Sequence, residues 1–437
     1  MPKPAMNLNE GSVANGDADQ AEKIKEIRPA TFKGPKTIEL TYSRVEFVQH
    51  ILPYYAPCIC LASLYIVYFT ANGNLSWVLF SAYLINFPYF KRAAKTPQQE
   101  GNLDRNTERI FKADQRFLGP VYAYVLLDTL SWVWCLCVVS GVYPSFLPAW
   151  MFEDKITQTL RGWILFTFSW GYMAGVDGLA GHELIHKRHA FDKGLGMMTY
   201  TKILYSHFLL EHSAGHHRHV ATPEDPATAK KGENFYTFAV KSAWGGHVAT
   251  WQRETSRLQT KYDCEEVSLL THLTENRMSW FAALHIALMG SIWAVFGKRA
   301  VLFQVCYALV GVFFIELINY TEHYGLLRKK DARGIYEPIT EQHSWNAPSS
   351  PLLFRIQRHS DHHMHAYRPY QILRKIDNSP AMPYMYLYSM LIALCPPLWR
   401  MTMDQLLHNK ERRGEGAVKA FFICFLVSLA YSTYSFV

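Results

Sequence analysis

The chain has 437 residues, 49% of them hydrophobic and 15% aromatic, with 12 Trp and a formal net charge of +8. Its mean hydropathy is nevertheless close to zero, so apolar runs must alternate with strongly charged ones, a pattern that excludes a soluble domain of buried core helices. No Gly-rich nucleotide fingerprint is present, so reducing power must come from a separate protein, and no nucleic-acid partner is expected.

In chain order, residues 1–45 read as a polar cytoplasmic arm, disordered and lacking the apolar run of a signal peptide. Residues 46–400 form the principal domain, and 401–437 a C-terminal segment with an apolar tail. Six apolar runs, 51–69, 75–90, 117–139, 160–179, 280–296 and 300–320, are each near the length that crosses a bilayer core of roughly 30 Å. The fold class is therefore an all-α integral membrane protein of about six transmembrane helices.

The connection 71–74 carries no charge, whereas Lys91, Arg92, Lys95, Arg105, Arg109, Lys112 and Arg116 follow the second run, which places that segment in the cytoplasm. Counting on, the fourth and sixth runs emerge on the same side, at His182 and His323. Lys298 and Arg299 run against this scheme, since they fall in the short outer hairpin. Trp77, Phe80, Tyr83 and Phe87 recur on one face of the second run, where they either line a substrate path or pack against helices and lipid. Residues 383–398, broken by Pro396 and Pro397, read as interfacial or docked on the bundle; 417–437 either spans or lies on the surface.

Nine histidines stand in four clusters: His182 and His186; His212, His216 and His217; His323; and His359, His362 and His363. All four land where runs emerge, forming a cytoplasmic histidine-rich cap. On a helix, residues three or four apart share a face, so His182 with His186, His212 with His216, and His359 with His362 and His363 are each expected to converge. Neutral imidazole is the commonest transition-metal ligand. Nine nitrogens over two ions give each four or five ligands, which suits iron, the metal that activates dioxygen, better than a closed tetrahedral zinc. Glu183, Glu211, Glu322 and Asp361 each stand beside a ligand histidine and are expected to accept the free imidazole N–H; Asp177 lies near the first cluster as a further acidic candidate.

H-E-x-x-H at His182 is also the zinc metalloprotease signature, but the other clusters and the membrane context argue against that reading. A membrane metal-binding or transport protein would want ionisable ligands inside its spans, whereas these clusters begin where the spans end. Seven of the eight cysteines, all but Cys264, fall in apolar stretches and read as small buried side chains. His189, His207, His219, His343 and His365 lie near the clusters without a ligand role, and His50, His247, His272, His285 and His408 have no motif around them.

From about 181 to 399 the chain resembles the membrane-bound alkane 1-monooxygenases, integral-membrane diiron hydroxylases, through HELIHK, EHSAGHHRHVATPEDPAT, NYTEHYGLLR, HSWN and RHSDHHMHAYRPYQILR. Fatty acid desaturases share the histidine format, but the NYTEHYG element marks the alkane hydroxylases. The resemblance implies two non-haem irons held by the nine histidines. It also implies insertion of one oxygen atom of dioxygen into a terminal C–H bond of an alkane-type chain, giving a primary alcohol. A desaturase-type or other oxidation of an acyl chain or aromatic methyl group at the same site is the alternative. The resemblance further implies rubredoxin as electron carrier with an NAD(P)H-dependent flavin reductase. Basic residues beside the clusters, Lys187, Arg188, Lys193, Arg218, Lys230, Lys231, Arg328, Lys329 and Lys330, either steer such an acidic carrier or reflect positive-inside topology and lipid contact. The first three runs match the family poorly, the loop reads NLDRNTER where an acidic Asn-Pro-Pro element is usual, and Asp177 replaces a common amide.

Overall fold

The break that shapes the bundle falls at Gly297, whose backbone (φ 76°, ψ −175°) is non-helical within the long apolar segment Arg277–His323. Few residues but glycine adopt such a φ without strain. Either side of it, His285 Nε2 lies 2.9 Å from Ser206 Oγ and Gln304 donates to Lys202 O at 2.6 Å. Residues 19 apart on a straight helix would stand roughly 28 Å apart. The segment therefore folds back on itself, and its limbs correspond to the runs expected at 280–296 and 300–320. Arg299, beside the break, pairs with Asp154 at 3.3 Å, donates to Thr157 O and lies over the Trp163 ring. Of the two cations that run against the charge rule, Arg299 is thus neutralised in place.

The structure is a computed structural model and describes residues 49–70, 101–348 and 351–407. The run expected at 75–90, its four aromatic residues, the arm 1–45 and the tail 417–437 lie outside those residues. All described residues fall within the unit Tyr42–Val437. Their regular structure is helical, with no strand among them.

In chain order the principal helices are α1 (Ala56–Thr70), α2 (Arg105–Ala113), α3 (Leu118–Ser140), α4 (Leu160–Ile185), α5 (Ala190–Lys202), α6 (Phe235–Tyr262), α7 (Leu269–Glu275), α8 (Arg277–His323), α9 (His359–Met364), α10 (Tyr386–Ala393) and α11 (Pro396–Leu406). Among the described residues, Leu52–Thr70, Gln115–Ser140 and Arg277–His323 are long and apolar enough to cross a membrane. α4 matches the run expected at 160–179 and continues as a helix through the first histidine cluster, where polar residues take over. α10 and α11 are short and partly buried, as expected of a segment docked on the bundle.

Local chemistry sets these boundaries. Gly141, at φ 73°, closes α3 with its N–H on Cys137 O, and the Thr159 hydroxyl caps the Gly162 N–H at the start of α4. α4 and α8 form the centre of the bundle. Their contact is close because α4 lacks a side chain where it matters: a Cβ on Gly175 would come within 2.7 Å of Phe314 Cβ.

α5 turns back along α4 and ends among buried groups. Lys202 Nζ lies 2.7 Å from Asp128 Oδ2 on α3 and 2.9 Å from Asp177 Oδ2 on α4. All three side chains are at most 4% exposed. Asp177 thus serves the clamp between α3, α4 and α5.

Candidate metal centre

Each histidine cluster is delivered by a helix end or a short helix. His182 and His186 lie one turn apart at the C-terminal end of α4, which positions both rings. The second cluster rides on Phe208–Leu210, a π-helical turn Glu211–His216, and His217–His219. His323 ends α8, and His359, His362 and His363 lie on α9.

All nine rings come together, in two groups. His182, His186, His212, His217 and His362 form one, and His216, His323, His359 and His363 the other; within each, one ligating nitrogen per residue lies within 4.8 Å of the rest. The division departs from the simple helical-face expectation. His217 N–H bonds to His212 O, five residues back, because the turn is π-helical, so His212 shares a group with His217 and not with His216. On α9, His359 and His363 point to one group and His362 to the other. π-turns inside α-helices are frequent at functional sites.

The nitrogens face each other instead of facing protein acceptors. Nε2 atoms stand 2.8 Å apart for His182 and His212, 3.0 Å for His212 and His217, and 3.1 Å for His217 and His362. In the second group, His359 Nε2 lies 3.1 Å from His323 Nε2 and 2.9 Å from His363 Nε2. Buried Nε2 atoms of His186 and His216 have no hydrogen-bond partner. For metal–imidazole bonds of about 2.1 Å, ligands at right angles lie about 3.0 Å apart and tetrahedral ligands about 3.4 Å apart. The observed spacings fit a right-angled, open coordination set, and the donor set fits a transition metal.

Electrostatics keep these rings unprotonated. Burial pushes the pKa of His212, His217, His359, His362 and His363 well below the ordinary imidazole value, and neighbouring imidazoles add to it. His216 goes the other way. Burial alone would lower it, but the Asp225 carboxylate, 2.9 Å from Nδ1, more than offsets this and raises it. Burial likewise pushes the Glu211 carboxyl up to about 7.

The acidic candidates divide. Glu322 Oε1 lies 3.1 Å from His359 Nδ1 and accepts the Tyr386 hydroxyl. Glu211 is buried beside the second cluster, with Oε1 unpartnered. Glu183 pairs with Lys187, and Asp361 takes Arg368 at 2.7 Å, the Arg374 N–H and His365, so these two fix the surrounding chain. Asp225 was not singled out from the sequence, although its place before Pro226 suits a turn. Its Oδ1 accepts the Ala227 N–H while Oδ2 takes His216 Nδ1 and the Thr228 hydroxyl.

The HSWN stretch also takes a definite role. Trp345 N–H donates to Glu322 O and its indole N–H to Tyr324 O, satisfying carbonyls at the end of α8 beside His323. Asn346 Oδ1 accepts the Ser360 N–H at the start of α9. One short segment thus ties the third cluster to the fourth.

The two groups differ in surroundings. His186 and His217 are half-buried and adjoin Lys187 and Arg218, whereas all four rings of the other group are buried. Behind that buried group a narrow apolar cleft runs between α4, α8 and α10, past Tyr172, Val176, Phe314, Ile318 and Met390 to Tyr386.

Residues 157–393 match the fatty acid desaturase family. The chain is 38% identical to alkane 1-monooxygenase 1 of Pseudomonas aeruginosa over 64% of its own length and 69% of that protein's. It is 38% identical to alkane 1-monooxygenase of Acinetobacter baylyi, over 67% and 69% of the two chains. A more distant likeness, 27% over 53% and 60%, is to the xylene/toluene monooxygenase hydroxylase component of Pseudomonas putida.

Proposed function

This chain belongs to the alkane 1-monooxygenases of the fatty acid desaturase and hydroxylase superfamily, and on that premise we propose that it hydroxylates the terminal carbon of an alkane-type chain. The reaction consumes the hydrocarbon, dioxygen, two electrons and two protons and yields a primary alcohol and water. The observation that carries the reading is the convergence of nine imidazoles beside an apolar cleft.

The five-histidine and four-histidine groups would each hold one iron. Bound there, the metal supplies reductive activation of dioxygen. The protein's own residues do the rest. Asp225 fixes the tautomer of His216 by accepting at Nδ1, which turns Nε2 toward the centre, and Glu322 places a carboxylate 3.1 Å from His359 Nδ1. Tyr172, Phe314, Ile318 and Met390 exclude water and orient the chain. Each methylene leaving water contributes about 0.8 kcal/mol, so an alkane of middling length partitions into lipid before it enters.

We read 46–400 as the hydroxylase domain, 1–45 as a cytoplasmic arm and 401–437 as a C-terminal segment, with six spans and the histidine cap at the cytoplasmic face. That side follows from the basic segment after the second span, and the neutralised Arg299 is consistent with it. Electrons would enter at the half-buried His186 and His217 edge from a small acidic rubredoxin-like carrier, itself reduced by an NAD(P)H-dependent reductase. Products test the reading: membranes given a carrier system and an alkane should form the primary alcohol, whereas an olefin from an acyl substrate alone would favour desaturation.

A further inference from the structure

α6 is two-faced in a way the proposed reaction does not use. One face packs on the second histidine cluster: a Cβ on Gly246 would lie 3.1 Å from Glu211 Cγ, and the Arg253 guanidinium fills the space a side chain on Gly215 would need. Lys241 Nζ, on the same helix, reaches Thr228 O at 3.1 Å. The other face carries Tyr236, Val240, Trp244 and Trp251 at helical spacing, with Val240 71% and Trp244 69% exposed. Large apolar side chains gathered in one stripe mark a surface that meets something apolar.

The direction of α6 says what that is. Near its start, Phe238 packs against Tyr320 with ring centroids 5.3 Å apart; near its end, Glu254 accepts from Arg277 Nε at 3.0 Å. Tyr320 and Arg277 lie toward the two ends of the folded-back α8, both away from Gly297. The 16 residues between these contacts cover about 24 Å, so the helix lies across the mouth of the α8 hairpin and not along its limbs. Beyond it, α7 exposes Leu269 and Leu270, and α8 then begins with Trp280 exposed. Trp251 stacks on His272 of α7 at 5.9 Å, so the stripe adjoins the short helix that leads into a segment apolar enough to span.

We propose that α6 lies in the membrane plane, with Tyr236, Val240, Trp244 and Trp251 seated in the interfacial layer of a phospholipid bilayer. Trp and Tyr favour that depth because an apolar ring and a polar edge are satisfied together. The inference rests on the membrane reading above. Its consequence is that the second histidine cluster is braced against lipid through Gly246 and Arg253, which holds the metal-binding rings at the depth where a hydrocarbon arrives.

The full-length protein, carrying photoreactive benzoylphenylalanine in place of Val240, Trp244 or the exposed loop residue Ile335, is reconstituted in phosphatidylethanolamine–phosphatidylglycerol nanodiscs and irradiated. Positions 240 and 244 should gain the mass of one phospholipid and 335 should not. A dimer-sized crosslink at 240 or 244, or adduct there no greater than at 335, would overturn the proposal while leaving the membrane reading intact. Failure of the protein to enter the bilayer fraction would remove both.

Discussion

Glu322 Oε1 lies 3.1 Å from His359 Nδ1 in a fully buried setting, and the same carboxylate accepts the hydroxyl of Tyr386, which walls the apolar cleft. One carboxylate therefore connects the four-histidine group to the site proposed for the hydrocarbon.

Glu322→Gln keeps the shape but removes the carboxylate charge beside His359 Nδ1. Loss of such an outer partner typically costs metal affinity about 10–100-fold. Competition with a chelator should show a shift in that range, with Tyr386→Phe moving the same way by less. Unchanged retention in Glu322→Gln would mean the carboxylate does not tune the ligand.

Acid should empty the centre. His212, His217, His359, His362 and His363 have folded-state pKa values below the unfolded value of about 6.5, so under that pH the unfolded chain binds more protons than the folded one. Their contribution to stability is complete above about 6.5 and declines as pH falls through the window beneath it. His216 has the opposite sign, because Asp225 raises it, and offsets part of the loss. Metal binding requires the same unprotonated nitrogens. Iron content and unfolding midpoint, followed from about pH 7.5 to 5, should fall together; full iron at the acid end would speak against imidazole ligation.

Lys202→Met should destabilise the fold by about 3–5 kcal/mol, because it leaves Asp128 and Asp177 buried without their cation. Replacing all three, as Lys202→Met with Asp128→Asn and Asp177→Asn, should recover most of that loss. Thermal unfolding in detergent distinguishes the two, and equal midpoints for single and triple variants would show that charge pairing is not what holds α3, α4 and α5.

Much of this was legible in the sequence. The nine histidines were identifiable because each cluster is local, and spacing along a helix is a local property. Their division into two groups was not, because it depends on a π-turn at 211–216 that puts His217 in line with His212. Asp225 reaches His216 across the turn that follows the second cluster, and Tyr386 reaches Glu322 through tertiary packing; periodicity reports neither. The fold-back at Gly297 was visible as two apolar runs with a short connection. Asp177 drew notice as an acidic residue near a cluster, but its partner Lys202 comes from a helix that returns into the bundle.

Reduction by an acidic carrier should slow as salt rises, since exposed Arg188, Lys193 and Arg218 stand beside the half-buried His186 and His217. Stopped-flow reduction at rising ionic strength reads this directly. A rate indifferent to salt would leave those residues to lipid and topology.

The most direct test of the account is iron per chain in protein purified from membranes, measured beside His323→Ala. Two irons are expected in the parent protein, and the variant, still inserted, should hold less metal and lose most alcohol formation from an alkane under labelled dioxygen. Zinc in place of iron, or a variant that keeps both irons and full turnover, would contradict it.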